Sequence, residues 1–265
     1  MTTRYLSKVL LTMLLAMPAA AQASTSCTAS MTNVSFGASD PFTGWGGVTA
    51  TLNYQCNTGG LALLATARVR LCFSIGVGAQ GSGVTIVPRR MTSGGNELQF
   101  NLYRDSARTV VWPNTISGMD KYEVDLQYSV PVLGGSGSGS ITVYGDIISA
   151  QNTAIPGSYS NNFSNVVDAL MSFRANEAVV GTPLWPTSCT SGGTFSGTGS
   201  FPFVASATVE ASCNPVFSVQ NISFGTQGVL SANIDTTAIV APQCTNTTPY
   251  QIGLDNGQNA SGSTR

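Results

Sequence analysis

The chain has 265 residues, of which only 9% are charged, with a formal net charge of −1 and no histidine. An ordinary soluble domain is about a quarter charged, so this composition excludes a basic patch for nucleic acid and a polybasic signal for anionic lipid. Without histidine there is no Ser-His-Asp or Cys-His site and no imidazole metal ligand.

Residues 1–23 are predicted to be a signal peptide. Arg4 and Lys8 precede the short apolar run Val9 to Met17, and Ala21-Gln22-Ala23 is an A-x-A cleavage site, so the mature chain is expected to begin at Ser24. Losing Arg4 and Lys8 moves the formal charge from −1 to −3. No later run is apolar for long enough to cross a bilayer as a helix, so a released product is expected.

Beyond Ser24 the apolar residues recur every second position. Val48, Ala50, Leu52 and Tyr54 form the first such run, and Val69, Leu71, Phe73 and Ile75 the second. Leu98, Phe100 and Leu102 follow, then Ile141 and Val143, then Val167, Ala169, Met171 and Phe173. Short alternating runs between Gly, Ser, Asn and Pro clusters predict half-buried strands of an all-β, immunoglobulin-like β-sandwich. The run Gly134 to Ser140 has neither the lysine nor the helix of a phosphate loop and reads as a flexible turn. Asp120, Glu123 and Asp125 could supply paired carboxylates. Their alternation with Tyr122, Val124 and Leu126 instead predicts the solvent face of one strand. Neither an enzyme nor a cofactor is expected.

Six cysteines lie beyond residue 23: Cys27, Cys56, Cys72, Cys189, Cys213 and Cys244. With no C-x-x-C pair and no histidine, disulfides are expected rather than zinc. An internal repeat proposes their pairing. Asn33-Val34-Ser35-Phe36-Gly37 recurs as Asn221-Ile222-Ser223-Phe224-Gly225, each copy has a cysteine shortly before it, and each has another 20 residues after the Phe. This pairs Cys27 with Cys56 and Cys213 with Cys244, leaving Cys72 and Cys189 for each other, although sequence alone does not fix connectivity. Two units are therefore expected, 24–202 and 203–265. The second copy matches only the opening third of the first, which reads as a truncated unit too small to bury a sandwich core.

These residues resemble the spore coat protein U family, the subunit fold of archaic, Csu-type chaperone–usher pili. The likeness is carried by Cys27, Val34-Ser35-Phe36-Gly37, Asp40-Pro41, Gly44 and Cys56. It continues through Pro88-Arg89-Arg90-Met91, Leu98 to Tyr103, Asp105, Arg108 to Trp112, Thr142 to Gly145, Pro156 to Tyr159 and the strand ending at Phe173. The resemblance implies a sandwich lacking one strand, which a periplasmic chaperone lends and a neighbouring pilin subunit then supplies by donor-strand complementation. It also implies an outer-membrane usher as a partner and export through the periplasm to the cell surface.

Only Ser24 to Ser26 separate the expected cleavage site from Cys27, so no donor extension is seen. Together with the two units, this resembles a tip adhesin that mediates surface attachment and biofilm formation from the pilus tip. In such subunits adhesion is attributed to apolar distal loops. The candidates are Leu61, Leu63 and Leu64, Val132 and Leu133, Val179 and Val180, and Leu184 with Trp185. They would meet an apolar surface or an unknown receptor, unless they cap the core instead. Trp112, Trp45, Tyr103, Tyr144, Arg89 and Arg90 read as scaffold. The alternatives are a structural shaft or spore-coat-like subunit without its own ligand, a carbohydrate-binding module needing aromatic platforms, and, most remotely, a glycan hydrolase using Asp120 or Asp125.

Overall fold

The computed structural model describes residues 24–59, 65–81, 85–113, 121–149, 151–178, 181–215 and 217–262. The expected signal peptide lies outside them. The strands in chain order are β1 (Ser24–Met31), β2 (Val34–Ser39), β3 (Val48–Gly59), β4 (Ala65–Ile75), β5 (Arg89–Ser93), β6 (Asn96–Tyr103) and β7 (Tyr122–Val130). They continue with β8 (Gly135–Ile147), β9 (Gly157–Phe163), β10 (Ala169–Ala178), β11 (Phe195–Ser200), β12 (Phe203–Val209), β13 (Ser218–Val219) and β14 (Val240–Ala241). No helix occurs among the described residues.

The period-two runs become strands because their alternate side chains share one interior. In β3, Ala50, Leu52 and Cys56 are buried while Thr49, Thr51, Asn53 and Gln55 face out. The first sheet has the order β1-β3-β8-β6-β5-β9-β12-β2, and the second β11-β10-β4-β7. β1 and β2, consecutive in the chain, stand at opposite ends of the first order, so that sheet curls round on itself. Two long strands change sheet midway. β9 leaves the first sheet and continues as β10 in the second, while β11 crosses back as β12 through Phe201-Pro202. Such crossings make the corners of a sandwich. The interior between the sheets is filled by Leu52, Leu71, Phe73, Phe100, Phe163 and Phe201, all fully buried. Trp112 is buried and stacks on Tyr122 at 4.8 Å between ring centroids, a packing residue as expected.

Three disulfides join the expected pairs, Cys27–Cys56, Cys72–Cys189 and Cys213–Cys244. Cys27 and Cys56 are direct cross-strand partners of β1 and β3. Cys213 and Cys244 are likewise opposite one another in an isolated bridge, so the repeat extends to the geometry of its cysteines.

Two expectations are corrected. The Gly/Ser run is no flexible turn. Gly135 to Ser140 form half of β8 and pair with Asn53 to Thr58 of β3. The glycines point inward, where a Cβ on Gly137 would lie 2.6 Å from Tyr128 Cδ1 and one on Gly139 2.3 Å from Tyr54 Oη. They are glycine to make room for two tyrosine rings. Nor does the first unit lack a strand. β12 lies between β9, to which it is antiparallel, and β2, to which it is parallel. Its residues Phe203, Ala205, Ala207 and Val209 all point into the core. The segment expected to open the second unit thus closes the sandwich of the first.

After Glu210 little is buried. Val34 and Phe36 of the first copy lie in the core, whereas their counterparts Ile222 and Phe224 are more than half exposed.

Candidate functional site

Strand register gathers the apolar loop candidates at one pole of the sandwich. Thr58 pairs with Gly135, Ala65 with Val130, and Thr66 with Ala178. The connections 60–64, 131–134 and 179–194 therefore leave the sheets at the same end. Leu61, Leu63, Leu64, Val179 and Val180 lie outside the described residues. Val132 and Leu133 sit in the turn from Pro131 to Gly134, closed by a hydrogen bond from Gly134 N to Pro131 O at 2.8 Å. Gly134 has φ +109°, a conformation that a residue with a side chain rarely adopts. Leu133 is 92% exposed and Leu184 is 83% exposed. Apolar side chains this free of contact regain about 1.5–3 kcal/mol each if fully buried against a partner.

Trp185 is placed differently from Leu184. It is half-buried, lying against the guanidinium of Arg68 at 4.8 Å from the ring centroid, on the outer face of the second sheet. The segment 181–194 is strapped to that face. Arg68 Nη1 donates to Pro183 O, Asn176 Nδ2 to Leu184 O, Arg70 Nη1 to Thr187 O, and Arg174 Nη2 to Thr190 O. The Cys72–Cys189 disulfide adds a covalent link. Leu184 thus projects from a strap tied to strands, not from a loose loop.

Beneath the pole runs a chain of hydroxyls that the sequence reading missed. Tyr128 Oη and Thr58 Oγ1 are 2.8 Å apart, and Thr58 Oγ1 and Thr25 Oγ1 2.7 Å apart. Thr25 donates to Glu177 Oε1. Each hydroxyl has one proton, which sets the direction: Tyr128 donates to Thr58, Thr58 to Thr25, and Thr25 to the carboxylate. Burial raises the Tyr128 phenol above its ordinary pKa, which keeps it a donor. The chain ties β7, β3, β1 and β10, two strands from each sheet, directly below the apolar loops. No local motif marks it, because its members come from four separate strands.

The carboxylates offer no acid–base pair. Glu123 and Asp125 lie on the outer face of β7, as expected, and Asp120 lies outside the described residues. Arg70 grips Asp125 with both ends of its fork, Nε to Oδ1 at 2.8 Å and Nη2 to Oδ2 at 2.9 Å. Glu123 sits 3.8 Å from the same arginine. Among the described residues, one group of metal-capable side chains converges, Cys72, Glu123 and Cys189. Both cysteines are spent in their disulfide, so no thiolate remains to bind an ion.

The second unit leaves from the other pole. Glu210 N donates to Ser39 O, Ser212 Oγ to Asp40 Oδ2, and Asn246 Nδ2 to Thr153 O. β8 runs the distance between the poles, and its 13 residues span about 40 Å. The apolar loops and the exit of the second unit are therefore at opposite ends of the molecule.

The Spore Coat Protein U domain matches residues 13–164 and again 200–265. The chain belongs to this family, and carries its domain twice. The second match begins before β12, so it includes the strand that closes the first unit. Among solved structures, the chain is similar to the CsuC–CsuE chaperone–tip adhesion subunit pre-assembly complex from the archaic chaperone–usher Csu pili of Acinetobacter baumannii. That match has 16% identity and a TM-score of 0.38, covering 84% of this chain and 72% of that one. The CooA pilin subunit of enterotoxigenic Escherichia coli is 11% identical with a TM-score of 0.30, covering 69% of this chain and 99% of that one. At those TM-scores neither likeness bears on function. No curated protein matches the chain.

Proposed function

We propose that this chain is the tip adhesin of a chaperone–usher pilus, a non-enzymatic subunit exported through the periplasm to the cell surface. The observation that carries this reading is the placement of β12. The first unit's closing strand comes from its own chain, between β9 and β2, so no groove is left there for a neighbour's strand. That segment leads into the second unit, where a shaft subunit would keep its donor strand free. A unit closed in cis, ahead of a unit still exposing its apolar residues, suits the last position on a fibre. The second unit is then the part that takes a strand from the periplasmic chaperone, and at the usher from the neighbouring pilin subunit.

Adhesion is assigned to the opposite pole, through Leu133 and Leu184 together with the leucines of the 60–64 connection. These side chains have no core to enter and stand on strand ends fixed by the hydroxyl chain and the strap. Contact with an apolar surface or receptor would bury them at little ordering cost. The test is retention of piliated cells on an apolar and on a hydrophilic surface, with Leu133→Ser and Leu184→Ser variants. Retention on the apolar surface should fall in both variants while pilus number is unchanged. Undiminished retention in the double variant would remove the pole from the account.

A further inference from the structure

The search turns up one charged group whose environment is unfinished. Arg89, the first residue of β5, is only 1% exposed, and its side chain points into the molecule beside the end of β4. Its Nε donates to Gly76 O at 2.8 Å, and its Nη2 to Ile75 O at 2.6 Å and Trp112 O at 2.9 Å. Its Nη1 is buried and has no partner. All three acceptors are neutral carbonyls, so the guanidinium has hydrogen bonds but no counter-charge. The nearby acids are engaged elsewhere. Asp168 accepts from Gly78 N and from Asn165, and Glu97 is paired with Arg90. Burial pushes the Arg89 pKa down to about 9, which still leaves the group cationic at neutral pH.

Beside this side chain is a cavity of about 150 Å³ lined by Val77, Gly81, Thr85, Pro88, Arg89 and Arg90. A water molecule takes up about 30 Å³, so the space admits a small ion with some water. Water alone would satisfy the N–H of Nη1 but would leave the charge unbalanced, and an uncompensated buried charge is costly. Because Arg90 is already paired with Glu97, one positive charge remains to be neutralised. A divalent oxyanion would overshoot it and bury a net negative charge instead.

We propose that the Arg89 cavity binds one small monovalent anion, of chloride size, which accepts from Arg89 Nη1 and completes the buried end of the sandwich. The anion serves as a counter-ion that joins β5 to the segment following β4, away from the adhesive pole, and the inference does not depend on the proposed tip role.

The experiment uses the full exported chain with its disulfides intact, comparing sodium chloride with sodium gluconate, an anion too large for the cavity, at matched ionic strength and pH. Chloride should raise the melting temperature saturably by roughly 3 °C or more. It should also give saturable broadening of the ³⁵Cl resonance that bromide displaces. Arg89→Met, which removes the charge, should abolish both effects. If that variant does not fold, crystals of the wild-type chain soaked in bromide should show an anomalous peak within hydrogen-bonding distance of Arg89 Nη1. Equal melting in both salts with no saturable broadening, or a bromide-soaked cavity without a peak, would overturn the proposal and leave water as the occupant.

Discussion

Phe203 is the side chain through which β12 is most firmly held, and its removal tests whether the strand is part of the first unit's core. Phe203 is buried and pairs across the ladder with Phe163, the two rings stacked at 4.4 Å between centroids and 5° between planes. Replacing a buried phenylalanine by alanine costs about 3–5 kcal/mol, through lost transfer energy and the cavity left behind. The stacked pair accounts for about 0.5–1.5 kcal/mol of that. Against a typical stability of about 5–15 kcal/mol, Phe203→Ala should remove a third or more. Val204 is the next residue on the same strand but faces away from the core, so Val204→Ala should cost well under about 1 kcal/mol. Urea unfolding without reductant, followed by tryptophan fluorescence, reads the difference, since Trp112 is buried against Tyr122. A midpoint for Phe203→Ala indistinguishable from that of Val204→Ala would refute the reasoning. β12 would then be a linker resting on the surface.

Three further outcomes follow from the same packing. Gly137→Ala should destabilise by about 1–3 kcal/mol in the same assay, because its Cβ would lie 2.6 Å from Tyr128 Cδ1. Thr58→Val breaks two links of the hydroxyl chain at once, leaving Tyr128 and Thr25 each short of a partner. A loss of about 1–3 kcal/mol is expected, with faster hydrogen exchange at the ends of β1 and β3. The Asp105 carboxylate is held below the usual range chiefly by the backbone N–H of Thr109, and then by that of Val110. Its stabilisation is therefore complete above about pH 4 and is lost as pH falls through the lowered folded value. Melting temperature between about pH 2 and 5 should fall less steeply for Asp105→Asn than for the wild type.

Much of the sandwich can be read directly from the chain because its strands alternate so regularly. The inward series Ala50, Leu52 and Val69, Leu71, Phe73 is visible by eye, and the repeat around Phe36 and Phe224 carries the disulfide pairing with it. What escapes is decided between distant segments. The residues Phe203 to Val209 alternate like any strand, yet only the pairing with β9 and β2 assigns them to the first unit and not the second. The Gly/Ser run has turn composition, and becomes a strand because Tyr54 and Tyr128 need the space over its glycines. At the pole, exposure of Leu133 and Leu184 follows from their breaking the alternation. The half-buried position of Trp185 depends on Arg68, more than a hundred residues earlier in the chain. The hydroxyl chain and the unbalanced Arg89 charge are both tertiary, with no spacing in the sequence to announce them.

The most direct measurement is immunogold labelling of intact pili with an antibody against the first unit, read by electron microscopy. The account predicts a single site of label per fibre, at the free end, because a unit already closed by β12 has no place for another subunit's strand. Label repeated along the shaft would contradict it and return the chain to a structural, fibre-building role.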